Sequence, residues 1–255
     1  MQYTLKKSLG QHFLHDENIC KKIADSIEME KPAQLLEVGP GAGALTKYLL
    51  QFTDTNFKAV ELDQEKVDYL LHTYPAIAGK LIHQDFLKTD APFEGSFMLV
   101  GNFPYNISSQ ILFKVLEWKE QVPLLVGMFQ KEVAKRITAA PGNKDYGILS
   151  VLTSAFYKTE YLFDVSPGSF NPPPKVMSGV IKMKLRTDIP DMKSEKHFRL
   201  LVKTAFNQRR KTLRNAVKPM FLKEDLEDDL FNKRAEQLTI DQFAALTFKM
   251  QQKQA

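Results

Sequence analysis

The chain has 255 residues, of which 44% are apolar and 25% charged, with 12 Gly and 13 Pro. That composition excludes a disordered chain, a collagen-like repeat and a disulfide-stapled miniprotein, and the length suits one large domain or a medium domain with an appendage. The lone cysteine, Cys20, can close neither an internal disulfide nor a cysteine metal cage, and the formal charge is +5.

In chain order, Ile19, Ile23 and Ile27 recur at helical spacing beside Cys20 and Ala24, with Asp16 placed to cap that helix. Residues 34–38 (QLLEV) form an expected strand, followed by Gly39-Pro40-Gly41-Ala42-Gly43 and a helix over 44–50. Strands are expected over 57–61, 81–84, 97–100 and 122–129, with helices over 64–71, 108–118 and 146–156. Residues 161–165 and 180–185 read as closing strands. Alternating strands and helices predict an α/β fold with a parallel sheet covered on both faces. Residues 187–191 read as a linker, and helices are expected over 197–208, 211–220 and 241–250. The expected organisation is therefore a sheet domain over 1–188 and a small all-helical domain over 189–255.

Charge follows this division. Residues 1–185 are neutral, whereas 186–218 hold ten basic and three acidic residues. Such a block suggests a surface that faces a polyanion. A solvated helix face is the plainer alternative.

Ligands of open α/β sheets bind at the carboxyl ends of the strands. Gly39, Gly41 and Gly43 follow the first of these strands in a GxGxG turn, which is neither the dinucleotide fingerprint nor a phosphate loop. Glu61 ends the next strand, 22 residues after Gly39, where a carboxylate can accept from both ribose hydroxyls. Asp85 ends the third, where it can receive an adenine amine. The set favours an adenosine ligand without phosphate, a description S-adenosylmethionine fits.

Asn102-Phe103-Pro104-Tyr105 follows the fourth strand. The lone pair of adenine N6 is delocalised into the ring. Acceptance of its two N–H bonds by the Asn102 side-chain oxygen and the Phe103 carbonyl makes the nitrogen more pyramidal and more nucleophilic. Pro104 fixes the turn, and Tyr105 offers a stacking face. The four scattered histidines His15, His72, His83 and His197 lack metal spacing, so no metal is expected.

With these residues in this order, the chain resembles the ribosomal RNA adenine N6-dimethyltransferases, specifically their bacterial small-subunit branch. Residues 6–14 (KKSLGQHFL), 36–43 (LEVGPGAG), Glu61, Asp85, 101–108 (GNFPYNIS), 170–178 (FNPPPKVMS) and 206–215 (FNQRRKTLRN) carry the resemblance. It implies a Rossmann-like methyltransferase sheet and S-adenosyl-L-methionine as cofactor, contacted by His12, Leu14, Gly39, Gly41, Glu61, Asp85 and Asn102. It implies that Phe170 packs near the target base opposite Tyr105. Together with the charge block, it makes Arg209, Arg210, Lys211 and Arg214 the expected contacts to the small ribosomal subunit and its RNA. A cytoplasmic monomer without membrane or metal is the default expectation. Three alternatives stand beside this reading: a resistance-type dimethylase of large-subunit RNA, a DNA adenine methyltransferase and a non-catalytic assembly factor.

Overall fold

The computed structural model describes residues 12–251. Its strands are β1 (Phe13–Leu14), β2 (Gln34–Val38), β3 (Asn56–Glu61), β4 (Leu81–His83), β5 (Met98–Asn102), β6 (Leu124–Gln130), β7 (Tyr157–Val165), β8 (Phe170–Asn171) and β9 (Ser178–Leu185). Its helices are α1 (Glu17–Glu28), α2 (Thr46–Leu49), α3 (Gln64–Thr73), α4 (Ser108–Glu117), α5 (Lys131–Thr138), α6 (Ile148–Ser154), α7 (Glu195–Asn207), α8 (Leu213–Val217) and α9 (Ile240–Lys249).

Seven strands form one sheet in the order β4-β3-β2-β5-β6-β9-β7. β2 pairs in parallel with β3 on one side and β5 on the other, so the strand order reverses at β2. That reversal is a topological switch point, where the loops leaving neighbouring strands part and open a crevice. β3–β4 and β5–β6 are also parallel, but β9 runs antiparallel to β6. The sheet is thus mixed rather than wholly parallel.

Local chemistry explains the elements. Asp16 caps α1 by accepting from the Asn18 and Ile19 amides, and the stripe Cys20, Ile23, Ala24 and Ile27 is buried. β2 and β6 are almost wholly buried, as apolar runs in the middle of a sheet must be. The helix expected over 44–50 shrinks to the four residues of α2, because the glycine turn extends into its first turn. α5 has no counterpart among the expected elements, although Ala134 and Ile137 mark its buried face.

By contacts the chain divides into two compact units, Met1–Ala134 with Thr159–Leu185 and Lys135–Lys158 with Arg186–Ala255. The expected boundary at 188/189 is therefore corrected: the division falls at 185/186, and residues 135–158 join the helical unit. The Tyr146 phenol donates to the Leu238 carbonyl at 3.0 Å, and the Gly142 amide donates to the Glu236 carbonyl at 2.7 Å. The Tyr146 ring also meets Phe206 edge-on at 6.1 Å. The segment takes its burial partners there rather than from its sequence neighbours. In this second unit α7 and α9 pack on each other, with Phe206 and Phe243 at 6.0 Å.

In the first unit one packing detail reaches the site. Phe103 is buried, its ring 5.0 Å from that of Phe129. It fits only because residue 127 is glycine, where a Cβ would stand 2.2 Å from the Phe103 Cε2. Gly127→Ala is expected to cost about 1–3 kcal/mol of stability by overpacking. Phe103→Leu, which removes the clashing ring edge, should recover part of that loss. A double-mutant cycle in denaturant checks this, and strictly additive effects would contradict the proposed fit.

Candidate active site

A cavity of about 220 Å³ opens where β2, β3 and β5 end, with the loop after β4 beside them. It is lined by His12, Leu14, Gly39, Gly41, Glu61, Asp85, Asn102, Phe103, Pro104 and Tyr105, among others. The chain thus brings together every residue expected at the cofactor and at the Asn-Phe-Pro-Tyr turn. Residues 6–11 of the N-terminal motif lie outside the described residues.

The glycine turn has the conformation its sequence requires, with φ of +69° at Gly39 and +57° at Gly41. A Cβ on Gly39 would meet nothing nearer than Pro104 Cδ at 3.9 Å, so glycine here keeps the cavity wall open. A Cβ on Gly41 would instead strike the Phe13 ring at 2.8 Å.

Glu61 is 7% exposed. Its Oε1 accepts from the Leu62 and Asp63 amides at 2.9 Å, and its Oε2 accepts from the Gly41 amide at 3.1 Å. Burial raises its pKa, and these backbone donors oppose the rise. The carboxylate is thereby held in one orientation and retains acceptor capacity toward the cavity. Asp85 caps the turn over 86–88 through Oδ1, which accepts from the Leu87 amide at 3.0 Å. Its second oxygen has no protein partner among the described residues.

Asn102 ends β5. Its Nδ2 donates to the His12 carbonyl at 3.0 Å. A carbonyl can only accept, so this contact fixes which end of the amide faces it and leaves Oδ1 as the available acceptor. The buried Phe103 ring anchors the next residue, and the Phe103 amide donates to the Met128 carbonyl at 3.2 Å. Tyr105 is held at two points: its hydroxyl shares a 2.5 Å hydrogen bond with Ser178 Oγ, and its ring stacks on His12 at 5.5 Å and 28°. His12 is itself fixed by a 2.9 Å contact between Nδ1 and the Pro172 carbonyl. The second role of His12, as the clamp on Asn102 and Tyr105, was not legible in the sequence.

Phe170, which the resemblance places near the target base, lies in the core of the first unit. It is 2% exposed and packs in the core with Leu14, Val165 and Val180. β8 pairs with β1, with Leu14 opposite Phe170, and strand alternation turns Phe170 inward and Asn171 outward. The ring on Tyr105 is that of His12.

Sequence reasoning also missed Glu37. It is 2% exposed on the cavity wall, and its Oε2 accepts from Thr46 Oγ1 at 2.7 Å. An acidic residue inside an apolar strand was the available clue.

In the second unit, Arg209, Arg210 and Lys211 occupy the turn between α7 and α8, so the helix expected from residue 211 begins at Leu213 instead. Arg210 and Lys211 are exposed. Arg209 is committed, with Nε on Glu236 Oε2 at 2.7 Å and Nη2 on the Lys144 carbonyl at 2.5 Å. Arg214 lies in α8, with its Nε buried and unpartnered among the described residues. No group of three or more metal-ligating side chains occurs among the described residues, nor any helix long and apolar enough to cross a membrane.

A family model described as ribosomal RNA adenine dimethylase matches residues 2–252. A protein of Flavobacterium johnsoniae called ribosomal RNA small subunit methyltransferase A is 52% identical over 250 residues, covering 96% of this chain and 95% of that one. A protein of Parabacteroides distasonis with the same name is 53% identical over 247 residues, covering 95% of this chain and 92% of that one. Among solved structures, a dimethyladenosine transferase of Plasmodium falciparum superposes with a TM-score of 0.76 at 25% identity, covering 91% of this chain and 94% of that one. The 23S rRNA methyltransferase ErmE shares the fold at 23% identity with a TM-score of 0.74. A match along nearly the whole length, and relatives of about this size at half identity, give the same answer as the strand-end residues: the chain belongs to the ribosomal RNA adenine dimethylase family.

Proposed function

We propose that this enzyme dimethylates N6 of two adjacent adenosines near the 3′ end of small-subunit (16S) ribosomal RNA, with S-adenosylmethionine as methyl donor. The orientation of Asn102 carries the chemical half of this reading: with Nδ2 held on the His12 carbonyl, Oδ1 is left as an acceptor for a base amine. Close relatives named for the small subunit support the choice of substrate.

When bound, the donor supplies an electrophilic methyl on a sulfonium. The chain's own residues do the rest by positioning and electrostatics. Glu61 and Asp85 are placed to take the ribose hydroxyls and the adenine amine of the donor, and the Gly39–Gly41 turn lets backbone approach it. The free face of Tyr105 would hold the extruded target base, while Asn102 Oδ1 and the Phe103 carbonyl accept its two N6–H bonds. Arg210, Lys211 and Arg214 would grip phosphates of the subunit. Arg209 would shape their turn through its ion pair.

Small subunits lacking the modification, large subunits and naked RNA, each incubated with labelled donor, test the substrate. Nucleoside analysis should find dimethyladenosine in the small subunits, and product confined to large subunits would overturn the assignment. Asn102→Ala should cut transfer by at least ~10²-fold, the loss seen for one preorganised polar partner. Wild-type turnover in that variant would remove the acceptor pair.

Replacing Arg210 and Lys211 together by Ala should flatten the dependence of subunit binding on log salt by about two units, one per phosphate contact. Arg209→Ala should instead lower Tm by breaking its pair with Glu236. An unchanged salt slope in the double variant would contradict the phosphate role.

A further inference from the structure

Glu37 sits in β2, two residues before the glycine turn, and lines the cavity while almost wholly buried. Among the described residues the one hydrogen bond its side chain makes is that which Thr46 Oγ1 donates to Oε2, and the residue lines the cavity with Oε1 unclaimed. No Lys, Arg or His pairs with it among the described residues.

Among the described residues, Glu61 of β3, Cys20 of α1 and Tyr74 just after α3 are the titratable groups coupled to it by charge. Burial pushes the Cys20 thiol up to about 12 and raises the Tyr74 phenol, so neither carries charge near neutrality. Glu61 has three backbone amides to favour its anion, whereas Glu37 has one hydroxyl. Burial pushes the Glu37 carboxyl up to about 8; the Thr46 hydroxyl opposes the rise and Glu61 adds to it. Of the two carboxyls, Glu37 is the one set up to hold a proton.

We propose that Glu37 is neutral in the free protein and releases its proton to solvent when a methyl donor of net positive charge fills the cavity, so that the carboxylate becomes the donor's counter-charge. The O–H bond breaks, the electron pair stays on the carboxylate and the proton passes to buffer. A buried carboxylate without a cation is costly, whereas an opposite charge within a few ångströms favours the ionised form. An empty cavity therefore keeps Glu37 protonated, and a cationic occupant ionises it. The inference rests on the S-adenosylmethionine reading given above.

Calorimetric titration of S-adenosylmethionine into the full chain at pH 7, in two buffers of different ionisation enthalpy, counts the protons released. Wild type should release close to one more proton per donor than Glu37→Gln, which keeps the Thr46 hydrogen bond. Wild-type affinity should rise toward tenfold per pH unit below about 8, the pH to which Glu37 is pushed, and level off above it.

The free protein supplies a readout independent of the ligand. Because the folded-state value of about 8 exceeds the ordinary 4.5, the stability Glu37 contributes is fully present below about 4.5 and is lost as pH rises through about 8. The Tm of wild type should therefore fall relative to Glu37→Gln across that window. Equal proton counts in a variant that binds would overturn this inference and leave the functional reading intact. Failure of wild type to bind any donor would overturn both. Should Glu37→Gln not fold, a flat pH profile of wild-type affinity between 6 and 8 would suffice to reject it.

Discussion

The hydrogen bond from Asn102 Nδ2 to the His12 carbonyl fixes the chemistry of the cavity. An amide side chain offers a donor at one end and an acceptor at the other, and free rotation would present either to a ligand. Pinning the nitrogen on a carbonyl removes that freedom before any substrate arrives. The contact joins residues 90 positions apart, so it exists only because β1 is held against β8 and β5 ends at the switch point. The same His12 stacks on Tyr105, so one residue sets both the acceptor and the stacking platform.

The charges of the cavity follow from the same layout. A site for a ligand carrying a sulfonium needs negative charge, but two bare carboxylates in an apolar crevice would repel each other. Glu61 meets this through its backbone donors, whereas Glu37 lies deeper with a single hydroxyl for company. The backbone favours the anion of Glu61, and Glu37 is the carboxyl we infer to ionise with the donor.

Much of the fold was legible because β2, β3 and β5 are largely buried strands that run into chemically distinctive residues. Gly39, Glu61, Asp85 and Asn102 can be placed at one sheet edge from the sequence alone, since parallel strands carry their carboxyl ends to the same side. What could not be read depends on contacts between distant segments. Phe170 carries no local mark that shows what its ring packs against; its burial beside Leu14 depends on the pairing of β8 with β1. The clamp by His12 is invisible because it acts through a backbone carbonyl. Residues 135–158 look continuous with the sheet domain, yet Tyr146 finds its hydrogen-bond partner at Leu238. The basic motif was legible as charge but not as shape, because an ion pair to Glu236 takes Arg209 out of the free set.

The most direct test of this account is a crystal structure with S-adenosylhomocysteine and adenosine monophosphate bound together. The target N6 should lie at hydrogen-bonding distance, roughly 2.7–3.2 Å, from both Asn102 Oδ1 and the Phe103 carbonyl, with the Nδ2 contact to His12 retained. An Asn102 side chain that has released His12 and turns its nitrogen toward the base, or an N6 that meets neither oxygen, would contradict it.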